Sequence, residues 1–401
     1  MFRGARARAA AVLATAAAAL ALAACGSGAQ ASGPTWVPAP SFQGEGDQQS
    51  AAPNVPAPAG PSPSASGSAS TSPGSTDDPA VVATKLHAPD AIVIMPDGSA
   101  LVGERTGRIV SVQPKPQQPV RTVRTLTGLD TAGDGGLLDL ALSPNYAQDN
   151  LVFAYITTPI DNRLVDFTLT GAVTPVLTGI PKGASGNTGR IVVNADGTLS
   201  VGTSDAGQPS LAPSRSSLAG KVLRLSDIGG PATGNPYPGS AVFASGLSGV
   251  AGLCLDTAHD LLFAVQPTGV GGKSTVVAVH PGADYGWPTP SAATPKPLAT
   301  LPAAFATPGG CAVQADALYV TSLNGKALLA APLTVSGSSV KLGSFATYLP
   351  NRYGRLQTVV AAPDGALWLT TANRAGNGKP IPDDERVLRI QAPAGGSSYP
   401  G

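Results

Sequence analysis

Charge is scarce in this chain: Asp, Glu, Lys and Arg make up 12% of its 401 residues, with 25 basic against 24 acidic side chains. That is about half the share of an ordinary soluble domain. No run of Lys or Arg interleaves with aromatics, so neither nucleic acid nor an anionic membrane surface is implied as a partner. Imidazole is equally rare. His87, His259 and His280 are the three histidines, and none stands at a spacing that zinc requires. A histidine-based hydrolase triad therefore has few places to form. His259, in Asp256-Thr257-Ala258-His259-Asp260, and His280, before Pro281, read as surface turn residues. After the leader, no apolar run approaches the ~20 residues of a membrane-spanning helix.

The N-terminus is a targeting segment. Arg3, Arg6 and Arg8 precede an Ala/Leu/Val run from Ala9 to Ala21, the positive-then-apolar order that the secretion machinery reads. The run ends in Leu22-Ala23-Ala24-Cys25-Gly26, which resembles a bacterial lipobox. Cleavage after residue 24 and acylation of Cys25 are expected, leaving the protein anchored by lipid on the extracytoplasmic face of the cell membrane. Residues 25–78 are dominated by Pro, Ser, Gly, Ala and Thr and lack the apolar residues needed to offset the entropy of ordering. They read as a disordered tether, with a mean reach of roughly 40 Å. A short disordered tail is expected over 396–401.

The region 79–395 repeats one phrase six times: an apolar run, a turn on Pro, Asp or Gly, and a second apolar run. Ile92-Val93-Ile94-Met95-Pro96-Asp97-Gly98 leads to Leu101-Val102, and Leu138 to Pro144 leads to Val152-Phe153-Ala154-Tyr155. The next copies begin at Ile191, Leu253, Cys311 and Val359. Each half-phrase is short and bounded by turn formers, which favours strand over helix. Three copies turn at Asp-Gly, a strong hairpin signal. Successive turns lie roughly 50 to 60 residues apart, the length of a four-stranded propeller blade. The expected fold is all-β, a six-bladed β-propeller around a central channel.

Cys254 and Cys311 occupy matching positions on the first strands of the fourth and fifth copies. Adjacent blades bring such strands together and an exported protein meets an oxidising compartment, so a disulfide is expected. Two other motifs are decoys. Gly269 to Thr275 ends like a phosphate-binding loop, but Thr275-Val276-Val277-Ala278-Val279 reads as strand and not as the helix that must meet the phosphate. Asp383-Asp384-Glu385, in a Pro-flanked loop, reads as a solvated face rather than a metal site.

More specific are Gly133-Asp134-Gly135-Gly136-Leu137-Leu138-Asp139, Gly189-Arg190-Ile191 with Asp196-Gly197-Thr198-Leu199, and Leu218-Ala219-Gly220-Lys221-Val222-Leu223-Arg224. Pro281-Gly282-Ala283-Asp284-Tyr285-Gly286-Trp287-Pro288 and Gly354-Arg355-Leu356-Gln357 follow. In that order they resemble the soluble quinoprotein glucose/sorbosone dehydrogenase family. Ala132 to Asn162 and Leu177 to Gly189 look closer still to a lipoprotein branch of that family in actinobacteria.

The resemblance implies a six-bladed propeller that binds pyrroloquinoline quinone and a calcium ion over the channel. It also implies oxidation of the anomeric carbon of a sugar, with a histidine base taking the hydroxyl proton while hydride moves to the quinone. The position matching that base is Gly186, which has no side chain to accept a proton. Where the family carries a glutamine this chain has Asp134, its quinone-binding Arg-Asn pair falls at Ser248-Gly249, and of an Arg-x-Arg pair only Arg355 remains, the second being Gln357. An added acid and lost cations weaken attraction for a tricarboxylate.

Asp134, Asn187, Arg190, Asp205, Ser248, Arg355 and Gln357 are thus candidate pocket residues. Arg190 either lines the site or pairs structurally with Asp205 or a neighbouring blade. Tyr285-Gly286-Trp287-Pro288 either stacks on a sugar or packs between blades. The leading expectation is an envelope lipoprotein that has lost the quinone chemistry, expects no cofactor or metal, and binds a glycan or protein of the envelope. The alternatives are an active quinone- and calcium-dependent aldose dehydrogenase with Asp134 or Asp205 as base, and a structural role in envelope assembly.

Overall fold

The structure, a computed structural model, describes residues 78–116 and 118–393. The leader at 1–24, the lipidation site Cys25, the tether as far as residue 77 and the tail at 396–401 lie outside the described residues. What is described is six antiparallel sheets arranged as blades. In the first four blades four strands follow one another outward from the channel, and the fifth has five, with both Ser339–Leu342 and Ala346–Tyr348 pairing with its third strand. Their inner strands are Pro89–Ile94, Leu137–Leu142, Gly189–Val193, Gly252–Asp256, Pro308–Gln314 and Leu356–Ala361. Each lies against the next, and the sixth lies against the first.

The six repeated phrases are the inner hairpins of the six blades. Ile94 pairs with Ala100, Val193 with Leu199 and Ala361 with Leu367, so the Asp-Gly turns are five-residue loops rather than two-residue hairpins. In each, the aspartate carboxylate accepts the backbone N–H two residues on. The following glycine takes a φ of 80 to 85°, the left-handed conformation that only glycine adopts without steric cost.

One blade alone cannot bury both faces, and the core consists of six clusters, each shared by two neighbouring blades. Phe153, Tyr155 and Leu164 of blade two thus pack on Leu199, Val201 and Leu223 of blade three. The last blade is closed by the beginning of the domain. Val81–Ala83 supplies its outermost strand, with Val81 opposite Leu388. Asp78 fastens this strand by accepting from Tyr353 Oη at 2.8 Å and Arg352 Nη2 at 3.1 Å.

The acidic cluster is a correction to the sequence reading. Asp384 and Glu385 are each 1% exposed, not solvated. Glu385 accepts from Thr371 Oγ1 and the Asn373 and Arg374 amides, while Asp384 accepts from Arg386 Nε and the Ile381 amide. Buried carboxylates persist only when so paired. Here they fasten the loop between the second and third strands of blade six. The phosphate-loop decoy behaves as expected, since Thr275–Ala278 is a strand.

Cys254 and Cys311 form a disulfide between the inner strands of blades four and five, with Cα atoms 5.7 Å apart. The bond closes a segment of 57 residues, which in the chain-entropy description stabilises by roughly 4 kcal/mol. Urea unfolding of the Cys254→Ser/Cys311→Ser variant should show a loss of about that size. An unchanged midpoint would mean that packing alone holds these two strands.

Candidate functional site

All six inner strands run the same way along the channel, so their first residues share one mouth and their last residues the other. At the first mouth a cavity of about 260 Å³ is lined by Asp90, Leu138, Thr188, Ala251, Pro308 and Gln357, with Arg105 and Asp134 at its edge.

Its floor is Arg190. This guanidinium is 6% exposed and donates from Nε to Ala251 O at 2.8 Å, from Nη1 to Leu138 O at 2.7 Å, and from Nη2 to Gly309 O at 2.9 Å. Nη2 also meets Asp90 Oδ1 at 3.3 Å, and the same oxygen accepts from Gln357 Nε2 at 2.8 Å. One side chain of blade three therefore touches blades one, two, four and five, and reaches blade six through Asp90. Arg190 is a structural closure of the channel, paired with Asp90 and not with Asp205.

Asp139 lies beside it, accepting the Leu140 and Ile191 amides at 2.9 and 2.7 Å. Burial pushes its carboxyl up to about 6, against the opposing charge of Arg190 and these two donors.

The position of the expected base is occupied by backbone. Gly186 has a φ of 75°, and a Cβ placed there would lie 3.3 Å from Gly207 N, so a side chain would be strained as well as crowded. Its amide donates to Asp134 Oδ2 at 2.7 Å, and Asn187 Nδ2 donates to Asp134 Oδ1 at 2.8 Å. Asn187, 1% exposed, also binds Gly183 and Asn162. Asp134 and Asn187 thus pin the 183–187 loop.

Asp205 accepts from Trp287 Nε1 at 2.8 Å and from the Gly207 amide at 2.9 Å. Both aspartates considered as substitute bases are thus held in hydrogen bonds on each oxygen. Of the Tyr-Gly-Trp-Pro turn, Tyr285 is core, its hydroxyl donating to Ala278 O. Trp287 is half-buried at the rim.

Arg355 and Ser248 keep unused polar atoms. Arg355 Nη1 donates to Asn324 Oδ1 and Asn377 Oδ1 at 2.5 and 2.6 Å, while its Nε and Ser248 Oγ are buried without a hydrogen-bond partner among the described residues. Desolvation lowers the pKa of Arg355.

Sequence reasoning missed Asp90, Arg105, Asp139 and Lys221 as organising residues. Arg105 Nη2 donates to Gly133 O and Gly135 O at 2.8 and 2.7 Å. Lys221 is fully buried and donates to the carbonyls of Leu211, Ala212 and Ala219, and burial pulls its pKa down to about 8. Asp139 and Lys221 stand inside the motifs quoted above. Asp90 has no local signal, because its partners are 100 and 267 residues away.

Comparison with known proteins places these features in a family. The glucose/sorbosone dehydrogenase profile matches residues 86–381. The PQQ-bound form of an aldose sugar dehydrogenase from Streptomyces coelicolor is 35% identical, with a TM-score of 0.72 over 77% of this chain and 95% of that one. A putative oxidoreductase (glucose dehydrogenase) from Thermus thermophilus is 34% identical, with a TM-score of 0.71 over 77% and 98% of the two chains. An uncharacterized protein of Synechocystis is 28% identical over 51% of this chain and 58% of its own length, so the chain spans little more than half of that curated relative.

The residues present do not fit a tricarboxylate quinone. The Arg190 guanidinium is committed to backbone oxygens and Asp90, and Arg105 to carbonyls. Asp90 is balanced by Arg190 and Asp134 adds an acid to the lining, whereas Asn187, Asp205, Ser248 and Arg355, expected in the pocket, stand outside it. Among the described residues no group of three or more carboxylate, imidazole or thiol side chains converges to hold a metal ion.

Asp139 makes the fold pH-dependent. A carboxyl that ionises near 4 when unfolded and near 6 when folded contributes stability below pH 4, and that contribution is lost as pH rises through 6. Relative to Asp139→Asn, the wild type should therefore lose about 3 kcal/mol between pH 4 and 7, at 1.36 kcal/mol per unit. Urea unfolding at the two pH values checks this, and a pH-independent difference would contradict it.

Proposed function

The chain belongs to the glucose/sorbosone dehydrogenase family, and from that premise we propose that it is an envelope binding protein that has abandoned quinone-dependent sugar oxidation. The single observation that carries this reading is at residue 186. Removing a hydroxyl proton as hydride departs requires a positioned acceptor. Where the family's histidine is expected stands a glycine, and its two carboxylate neighbours already accept hydrogen bonds on both oxygens. The crowded, acidic mouth is a second support, since it disfavours the anionic cofactor. In this reading the leader exports the chain, Cys25 carries the lipid, and residues 26–77 hold the propeller away from the bilayer for an envelope glycan or protein.

A second reading, a quinone- and calcium-dependent aldose dehydrogenase with a rearranged site, is favoured by the likeness to the PQQ-bound Streptomyces structure and by the unused Nε of Arg355. Calorimetric titration with pyrroloquinoline quinone and calcium, followed by assay of aldoses with an electron acceptor, separates the two. The proposal expects no saturable heat at micromolar quinone and no sugar oxidation. Turnover that Arg355→Ala abolishes would establish the second reading.

A further inference from the structure

The opposite mouth of the channel holds a cavity of about 680 Å³, within the size range of small-molecule sites. The last residues of the inner strands line it, among them Ile94, Leu142, Val193 and Leu255, so its wall is largely aliphatic. One reactive bond lies in that wall, because Cys254 and Cys311 both line the cavity. Phe263, Val265 and Leu318 pack the disulfide on its outer side, so the exposure the two residues keep, 5 and 6%, is toward the channel. Its neighbours do not shield it. Gly252 and Gly310 are the lining residues beside it, and a Cβ at Gly252 would lie 3.0 Å from Cys311 Sγ.

The bond stands at a seam that is held in two places. Inner strands elsewhere meet their neighbours through aliphatic contacts, with Ile92, Leu140, Ile191 and Val359 each in a cluster shared by two blades. Between blades four and five the tie on the side of this cavity is covalent. Toward the first mouth the same two strands are tied by Arg190, which donates to Ala251 O at 2.8 Å and to Gly309 O at 2.9 Å. Ala251 and Gly309 line the first-mouth cavity. Each is two or three residues before its cysteine, or about 7 to 10 Å of strand.

We propose that the Cys254–Cys311 bond is a redox switch addressed by small-molecule thiols through this cavity, and that it sets how firmly blades four and five are held together on both sides of the Arg190 closure. A thiolate entering from the mouth attacks one sulfur, the S–S bond breaks, and the other cysteine leaves as thiolate. A second small thiol then displaces the first. Two small thiols thereby become one small disulfide, and their two electrons and two protons pass to the protein as a pair of cysteine thiols. A protein reductant is too large to follow this route. No ligand at the first mouth takes part, so failure of the proposal leaves the reading of that mouth standing.

The test uses the folded full chain, with dithiothreitol as the small thiol and reduced thioredoxin as the large one, and follows Cys254 and Cys311 by alkylation and peptide mass. Reduction by dithiothreitol should be first order in its concentration, unchanged by sub-denaturing urea, and at least about tenfold faster than by thioredoxin at equal concentration. A rate that rises with urea in step with unfolding, or thioredoxin acting as fast, would overturn the proposal. Amide exchange reads the switch itself. In the reduced protein, protection should fall at least about tenfold along Gly252–Asp256 and Pro308–Gln314 and at Ala251, whose amide donates to Val265 O, and stay unchanged along Pro89–Ile94. Equal protection in the two redox states, or a loss spread evenly over all blades, would contradict it. Cys254→Ala/Cys311→Ala should exchange like the reduced protein with or without reductant, and a response to reductant that persists in this variant would place the effect elsewhere and sink the proposal.

Discussion

A ring of six sheets has a problem at its centre, and Arg190 is the solution. Each inner strand offers backbone groups to the channel that no further strand can satisfy, and buried polar groups without partners are costly. A planar guanidinium with five fixed donors can reach several carbonyls at once. Arg190 does so across four blades, and Gln357 and Thr358 bring the sixth blade in through Asp90. Lysine, a point charge on a flexible stem, could not replace it.

This closure also explains the functional character of the molecule. It divides the channel into two cavities that do not share chemistry. On one side the mouth where the family's oxidation is expected has become crowded by its own internal bonds, with Asp134 and Asn187 spent on a loop and Gly186 empty of any acceptor. On the other side the same closure makes the floor of a cavity of about 680 Å³ with largely aliphatic walls. A residue that holds the frame together thus sets which ligands each face can accept, through its position and through the charge it does or does not neutralise.

The architecture was legible in the sequence because its signals are local. Hairpins such as Ile92–Val102 and Val359–Leu369 declare themselves by apolar run and turn, and their spacing counts the blades. The Cys254–Cys311 pairing followed from matching positions in successive copies. The closing strand Val81–Ala83 was hidden, since three residues carry no period and their partner lies some 300 positions later. Asp384 and Glu385 were misread for the same reason: adjacent acids look solvated until Thr371, Asn373 and Arg386 supply their donors. At the candidate site the glycine at residue 186 could be read directly. The roles of Asp90 and Asp139 depend on contacts between blades that no linear pattern records.

The most direct test of this account is amide hydrogen exchange in Arg190→Met, which keeps the aliphatic stem and removes the donors. If the guanidinium is the common closure, amides on the inner strands of all six blades should lose protection together, far beyond blade three. Loss confined to Gly189–Val193 and its immediate neighbours would contradict the account and leave the ring held by packing between blades alone.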